Sequence, residues 1–103
     1  MAIELNEKNF AAEVMESTVP VLVDFWAPWC GPCQAMLPVV EEVSRELEGK
    51  VKICKVNVDE NPELAEQYDV QSIPNFKLFK VGKVVSERLG GMPKEALIDF
   101  VSN

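Results

Sequence analysis

Histidine is absent from the 103-residue chain. That excludes cysteine–histidine nucleophile pairs, serine triads built on histidine, and histidine-ligated zinc. Cysteine is scarce, with three residues at positions 30, 33 and 54. An odd number containing one close pair is not the framework of a disulfide-stapled secreted domain. No basic cluster offsets the formal net charge of −7, so the cationic footprint that nucleic acids and anionic membranes attract is missing. Long apolar runs are missing too: Val19 to Val23 stops at Asp24, and no run is long enough to cross a bilayer. The opening "MAIELNEKNF" lacks the basic segment and apolar stretch of a secretory signal, and a cytoplasmic location is the expectation. There is no repeat, low-complexity tract or linker. With 48% hydrophobic residues, the chain reads as one domain over 1–103 with its own core.

What is present alternates strand and helix patterns. "IEL" reads as a short strand. "NEKNFAAEVME" places Phe10, Val14 and Met15 on one helical face, with Asn6 as its cap. "VPVLVDFWA" is almost continuously apolar, as in a strand covered on both sides. From Pro32 to Leu47, apolar residues recur at Met36, Val39, Val40, Val43 and Leu47, the pattern of an amphipathic helix ending near Gly49. Pro38 falls inside it, without the N–H that would bond the Gln34 carbonyl, and predicts a kink. "VKICKVNV" is a strand, and "DENPELAEQY" a helix with Asn61 as cap and Pro62 at its first position. "NFKLFKV" and "KVVSERL" form an antiparallel hairpin through Gly82, and "MPKEALIDFVSN" closes the chain as a helix. The order β-α-β-α-β-α-β-β-α predicts an α/β fold with a mixed five-stranded sheet flanked by four helices.

The chemistry concentrates in "FWAPWCGPCQAM", where Cys30 and Cys33 stand three apart. A metal site needs more ligands than these two and Cys54 supply, and a structural disulfide closing so short a loop removes little entropy from the unfolded chain. A redox pair fits the local geometry best. Cys30 lies where a strand turns into a helix, at the positive end of the helix dipole, so its thiolate is stabilised. Cys33 falls in the first turn on the same face, which brings the sulfurs within bonding range. Pro32 stiffens the turn.

"DFWAPWCGPC" resembles the active-site signature of the thioredoxin family, and "KVNVDENP", "SIPNFKLFKVGK" and the glycines at 90 and 91 fall in that family's order and spacing. The resemblance covers essentially the whole chain. It implies a protein-disulfide reductase in which Cys30 is the nucleophile and Cys33 the resolving thiol, with no bound cofactor and no metal. Implied partners are client proteins bearing disulfides and a thioredoxin reductase drawing on NADPH or ferredoxin. Nucleic acid and membrane are not among them, and a monomer is the simplest expectation.

Asp24 shares a strand face with Leu22 and Trp26 in what reads as a central strand, which argues for burial over an ordinary wet-face charge. A buried carboxyl titrates near neutrality and can accept a proton, and in the family the matching acid assists the second cysteine. An exposed surface position is the ordinary reading of Lys55; the resemblance makes it a partly buried residue tuning Asp24. The resemblance also implies a cis Ile73–Pro74 bond facing the cysteines, where an extended client segment pairs with the Ile73 backbone. Trp29, Gly31, Pro32, Ile73, Pro74 and Gly90 would form an apolar rim around Cys30. Trp26 is assigned to the core, and Cys54 reads as a small buried hydrophobe. Gln34 stands where the family usually has a basic residue, and Asn75 where it usually has threonine; both bear on partner specificity. Two other readings accompany the reductase: an oxidase or isomerase of the same fold, and a binding module whose redox pair is incidental.

Overall fold

The computed structural model describes Met1–Ser102. Its five strands are β1 (Ile3–Leu5), β2 (Val21–Trp26), β3 (Lys52–Asn57), β4 (Asn75–Lys80) and β5 (Lys83–Leu89), in the spatial order β1-β3-β2-β4-β5. β3 runs parallel to β1 and β2, while β4 is antiparallel to both β2 and β5. Three α-helices, α1 (Gly31–Glu46), α2 (Pro62–Gln67) and α3 (Lys94–Val101), and one π-helical turn, Ala11–Met15, complete the fold. The mixed sheet flanked by four helices is the architecture the residue pattern predicts. No described helix is long and apolar enough to cross a membrane.

The sheet divides two cores. On one face Met36, Val40 and Val43 of α1 and Leu97, Phe100 and Val101 of α3 pack on Leu22, Ile53, Phe76 and Leu78. On the other, Phe10, Val14 and Leu64 close over Val21, Val23, Phe25, Cys54, Val56 and Phe79. Alternate residues of β2 thus enter opposite cores, so the strand is apolar on both sides. Its one charged residue, Asp24, has nowhere wet to point.

Several local expectations change. Asn6 does cap its turn, its Oδ1 accepting from the Lys8 and Asn9 N–H groups at 2.8 and 3.0 Å. The segment it opens then widens, with the Glu16 N–H donating to the Ala11 carbonyl at 3.0 Å. A π-type turn advances less angle per residue than an α-helix. Phe10 and Val14 stay buried while Met15 rotates out to 45% exposure, against the prediction that all three share one face. Asn61 stands at the N-cap of α2 but its side chain caps nothing; its Nδ2 donates to the Asn57 carbonyl at 3.1 Å. Trp26 is half-buried, packed beside Ala27, Cys30 and Cys33. Lys77, inside the apolar run of β4, is buried and ion-paired with Glu87, the residue opposite it on β5.

The hairpin between β4 and β5 turns through Val81 and Gly82, with φ of 53° and 76°. Both central residues are left-handed, as the twist of a two-residue hairpin requires. Gly82 suits this, and an added Cβ there would sit 3.3 Å from the Met15 carbonyl oxygen. Val81 is β-branched, 89% exposed, and gains nothing from burial to offset its strained backbone. Val81→Asn should therefore raise stability by about 1 kcal/mol, read as a higher urea midpoint at unchanged slope. An unchanged or lowered midpoint contradicts this account of the turn.

Candidate active site

β2 ends at Trp26, and the chain turns through Ala27, Pro28 and Trp29 before α1 begins. Cys30 is the N-cap of that helix, with extended backbone at φ −89° and ψ 111°. Its Sγ accepts from the Cys33 N–H at 3.2 Å, one of the helix-end donors that lack a partner within the helix. A sulfur in the N-cap position takes the role usually held by a serine or aspartate oxygen. The same contact stabilises a thiolate once the pair is reduced. Cys30 and Cys33 are joined as a disulfide with Cα atoms 5.2 Å apart.

The two sulfurs differ in access. Cys30 keeps 6% exposure at the rim, and Cys33 has none. The carbonyl oxygen of Ile73 lies 3.9 Å from Cys30 Sγ, which puts the loop before β4 directly against the more exposed sulfur. Ile73–Pro74 is a cis peptide bond. The Pro74 carbonyl accepts from the Gly90 N–H at 2.9 Å, tying the loop to the end of β5. Gly90 has φ +87°, and a Cβ there would meet nothing within 4 Å. Backbone conformation, not internal crowding, is therefore what calls for glycine at this position.

Trp29 is 71% exposed. Its indole Nε1 donates to Asp59 Oδ2 at 2.9 Å, while Asp59's own N–H donates to Asn57 Oδ1 at the same distance. Asn57, Asp59 and Asn61 thus pin the loop after β3 and hold the tryptophan over the rim. Their part is not read from the sequence as a site. The available signal was "VNVDENP", whose short polar side chains at a strand end favour turns closed on their own backbone. Gln34 Nε2 donates to the Pro28 carbonyl at 3.0 Å, bracing the turn from the helix side.

Asp24 is fully buried, and neither of its carboxyl oxygens has a hydrogen-bond partner. Burial pushes this carboxyl from 3.8 up to about 7; Lys55 pulls the other way, and Glu4 adds to the rise. Lys55 is the residue paired with Asp24 across β2 and β3, with a half-buried side chain. Cys54 faces the opposite core, where burial pushes its thiol up to about 12, so it carries no thiolate near neutral pH.

A sequence model of the thioredoxin family matches residues 1–103. The chain belongs to the thioredoxin family. It is 51% identical to Thioredoxin 1 of Nostoc sp. over 93% of its own length and 90% of that protein. Identity is 47% to the thioredoxin of Rickettsia bellii, covering 100% and 98%, and 50% to that of Synechocystis sp., covering 91% and 88%. With its paired cysteines, the chain is a protein-disulfide oxidoreductase of the thioredoxin type, acting on disulfide-containing substrates and recharged by a reductase.

Between pH 3.8 and about 7 the folded protein holds a proton on Asp24 that the unfolded chain has released. Stability therefore falls as pH rises through that window. Asp24→Asn should stabilise the protein at pH 8 by up to about 4 kcal/mol and make no difference near pH 3. Denaturant melts of both proteins across pH check this. Equal stabilities at pH 8 would place the Asp24 charge in water.

Proposed function

We propose that the chain is a general protein-disulfide reductase that cycles between the Cys30–Cys33 dithiol and the disulfide. The observation that carries the reading is the unequal access of two sulfurs at one helix N-terminus: Cys30 at the rim, Cys33 fully buried. The Cys30 thiolate attacks a client sulfur, forms a mixed disulfide and expels the second client sulfur as a thiolate. Cys33 then loses its proton, attacks Cys30 Sγ, and releases the first client sulfur. Two electrons pass to the client, and the protein leaves oxidised.

Asp24 is the proton acceptor for Cys33 in this scheme, supported by its burial, its unpartnered oxygens and its titration near neutrality. Lys55 tunes Asp24 from the adjoining strand. An extended client segment lies along Ile73 and Pro74, with Trp29, Gly31, Pro32 and Gly90 forming the rest of the rim. The cycle needs no bound cofactor or metal. A thioredoxin reductase using NADPH or ferredoxin recharges the disulfide, and the protein works in the cytoplasm as a monomer.

Cys33→Ser should trap a client on Cys30 as a mixed disulfide visible by mass spectrometry, while Cys30→Ser should trap none and lose turnover. The wild-type couple should be more negative than about −240 mV in dithiol buffers, that is, reducing towards glutathione. A value near −180 mV or above sinks the reductase in favour of the oxidase or isomerase. Retained function in the doubly substituted protein would instead make it a binding module.

A further inference from the structure

Residues paired across the sheet at the level of Asp24 run Glu4 on β1, Lys55 on β3, Asp24 on β2, Phe76 on β4 and Arg88 on β5. Directly paired residues share a face, and adjoining strands are about 4.8 Å apart. Lys55 therefore has a carboxyl on each side at similar backbone distance. Its ammonium does not divide itself between them. Nζ lies 3.8 Å from Glu4 Oε1 and 3.8 Å from Glu41 Oε2, and forms no ion pair with Asp24.

Glu41 reaches the ammonium from α1, and its second oxygen is fixed by the Ala2 N–H at 3.0 Å. The Trp26 ring, 5.6 Å from Nζ, supplies a π face on the same side. Charge on Asp24 is felt from β3 through Lys55 and from β1 through Glu4, whose own carboxyl is raised by burial, lowered by Lys55 and raised again by Glu60 and Glu41. β4 contributes the apolar Phe76 beside Asp24, and α1 contributes Glu41, which reaches Lys55. Moving the ammonium towards Asp24 would take it from a partly wet position, where two carboxylates compete for it, into the dry centre of the sheet.

We propose that Glu4 and Glu41 are positioning residues that hold the Lys55 ammonium off Asp24, leaving the buried carboxyl at Coulombic range of a cation but without an ion pair. Released from that hold, Lys55 pairs with Asp24 and strips it of its proton at lower pH. An Asp24 already ionised cannot take the proton of Cys33. The two surface glutamates thus keep the buried acid protonatable in the range where the thiols react. This rests on the reading of Asp24 as proton acceptor only for its consequence, not for the clamp itself.

The test follows the carbon-13 carboxyl signal of Asp24 with pH in the oxidised protein, where the cysteines do not titrate. In Glu4→Gln the Asp24 midpoint should fall by about one pH unit, as for an acid gaining a basic neighbour. Glu4→Asp should stay close to wild type, and Glu4→Gln in a Lys55→Met background should shift the midpoint far less. The acid limb of the client-reduction rate should move with the midpoint. An unmoved midpoint, or an equal shift without Lys55, overturns the proposal. A midpoint that moves while the rate profile stays put supports the clamp and removes Asp24 from the reaction.

Discussion

The contact between Cys30 Sγ and the Cys33 N–H is the interaction on which the rest of the site depends. It exists because α1 is fastened to the sheet by Met36, Val40 and Val43, which fixes where the helix begins. A helix end buried without a side-chain acceptor leaves polar groups unmet, and here the acceptor is the more exposed sulfur of the pair. The bond that caps the helix is also one that would stabilise a thiolate at Cys30. Pro32 at the second helical position costs no hydrogen bond there and keeps the turn short.

Around that contact the fold separates access from reactivity. Two chain segments meet at Cys30, the turn carrying Trp29 and the loop at Ile73–Pro74, and the end of β5 at Gly90 is tied to that loop. Each is tied to its neighbours by hydrogen bonds, so the rim is built from loops on a rigid sheet. Cys33 lies beneath, fully enclosed. The burial that conceals the second sulfur also conceals Asp24, and the same desolvation makes this carboxyl hold its proton to about pH 7. Its charge is a stability cost kept within the core. Lys77 shows the other solution, a buried ammonium neutralised by direct pairing with Glu87. Of the two buried charged residues of the sheet, Lys77 has a direct counter-ion and the Asp24 carboxyl has no hydrogen-bond partner.

Much was legible because the relevant physics is local. The apolar continuity of "VPVLVDFWA" announced a doubly covered strand, and the placement of Asp24 within it announced burial. Spacing in α1 located its buried stripe, and Gly82 located the hairpin. The misses arise where several hydrogen-bonding choices compete, two of them within five positions and one between distant segments. Met15 turned outward when its helix widened, and Asn61 gave its side-chain amide to the Asn57 carbonyl instead of to the helix end. The hold of Asp59 on Trp29 joins residues from two different loops, a pairing that neither segment displays alone.

By itself the sequence determined the order of elements, the apolar faces, and the place of the cysteine pair at a strand-to-helix turn, since each follows from neighbours within a few positions. Only the tertiary structure decided which sulfur faces out, how dry Asp24 is, and where the Lys55 ammonium goes. Those outcomes depend on burial and on distances between strands and helices brought together by folding. Lys55 stands between two carboxyls that lie 51 and 31 positions away, Glu4 and Asp24, with Glu41 above it from α1. No local pattern fixes that choice, because it is settled by desolvation and geometry across the assembled sheet.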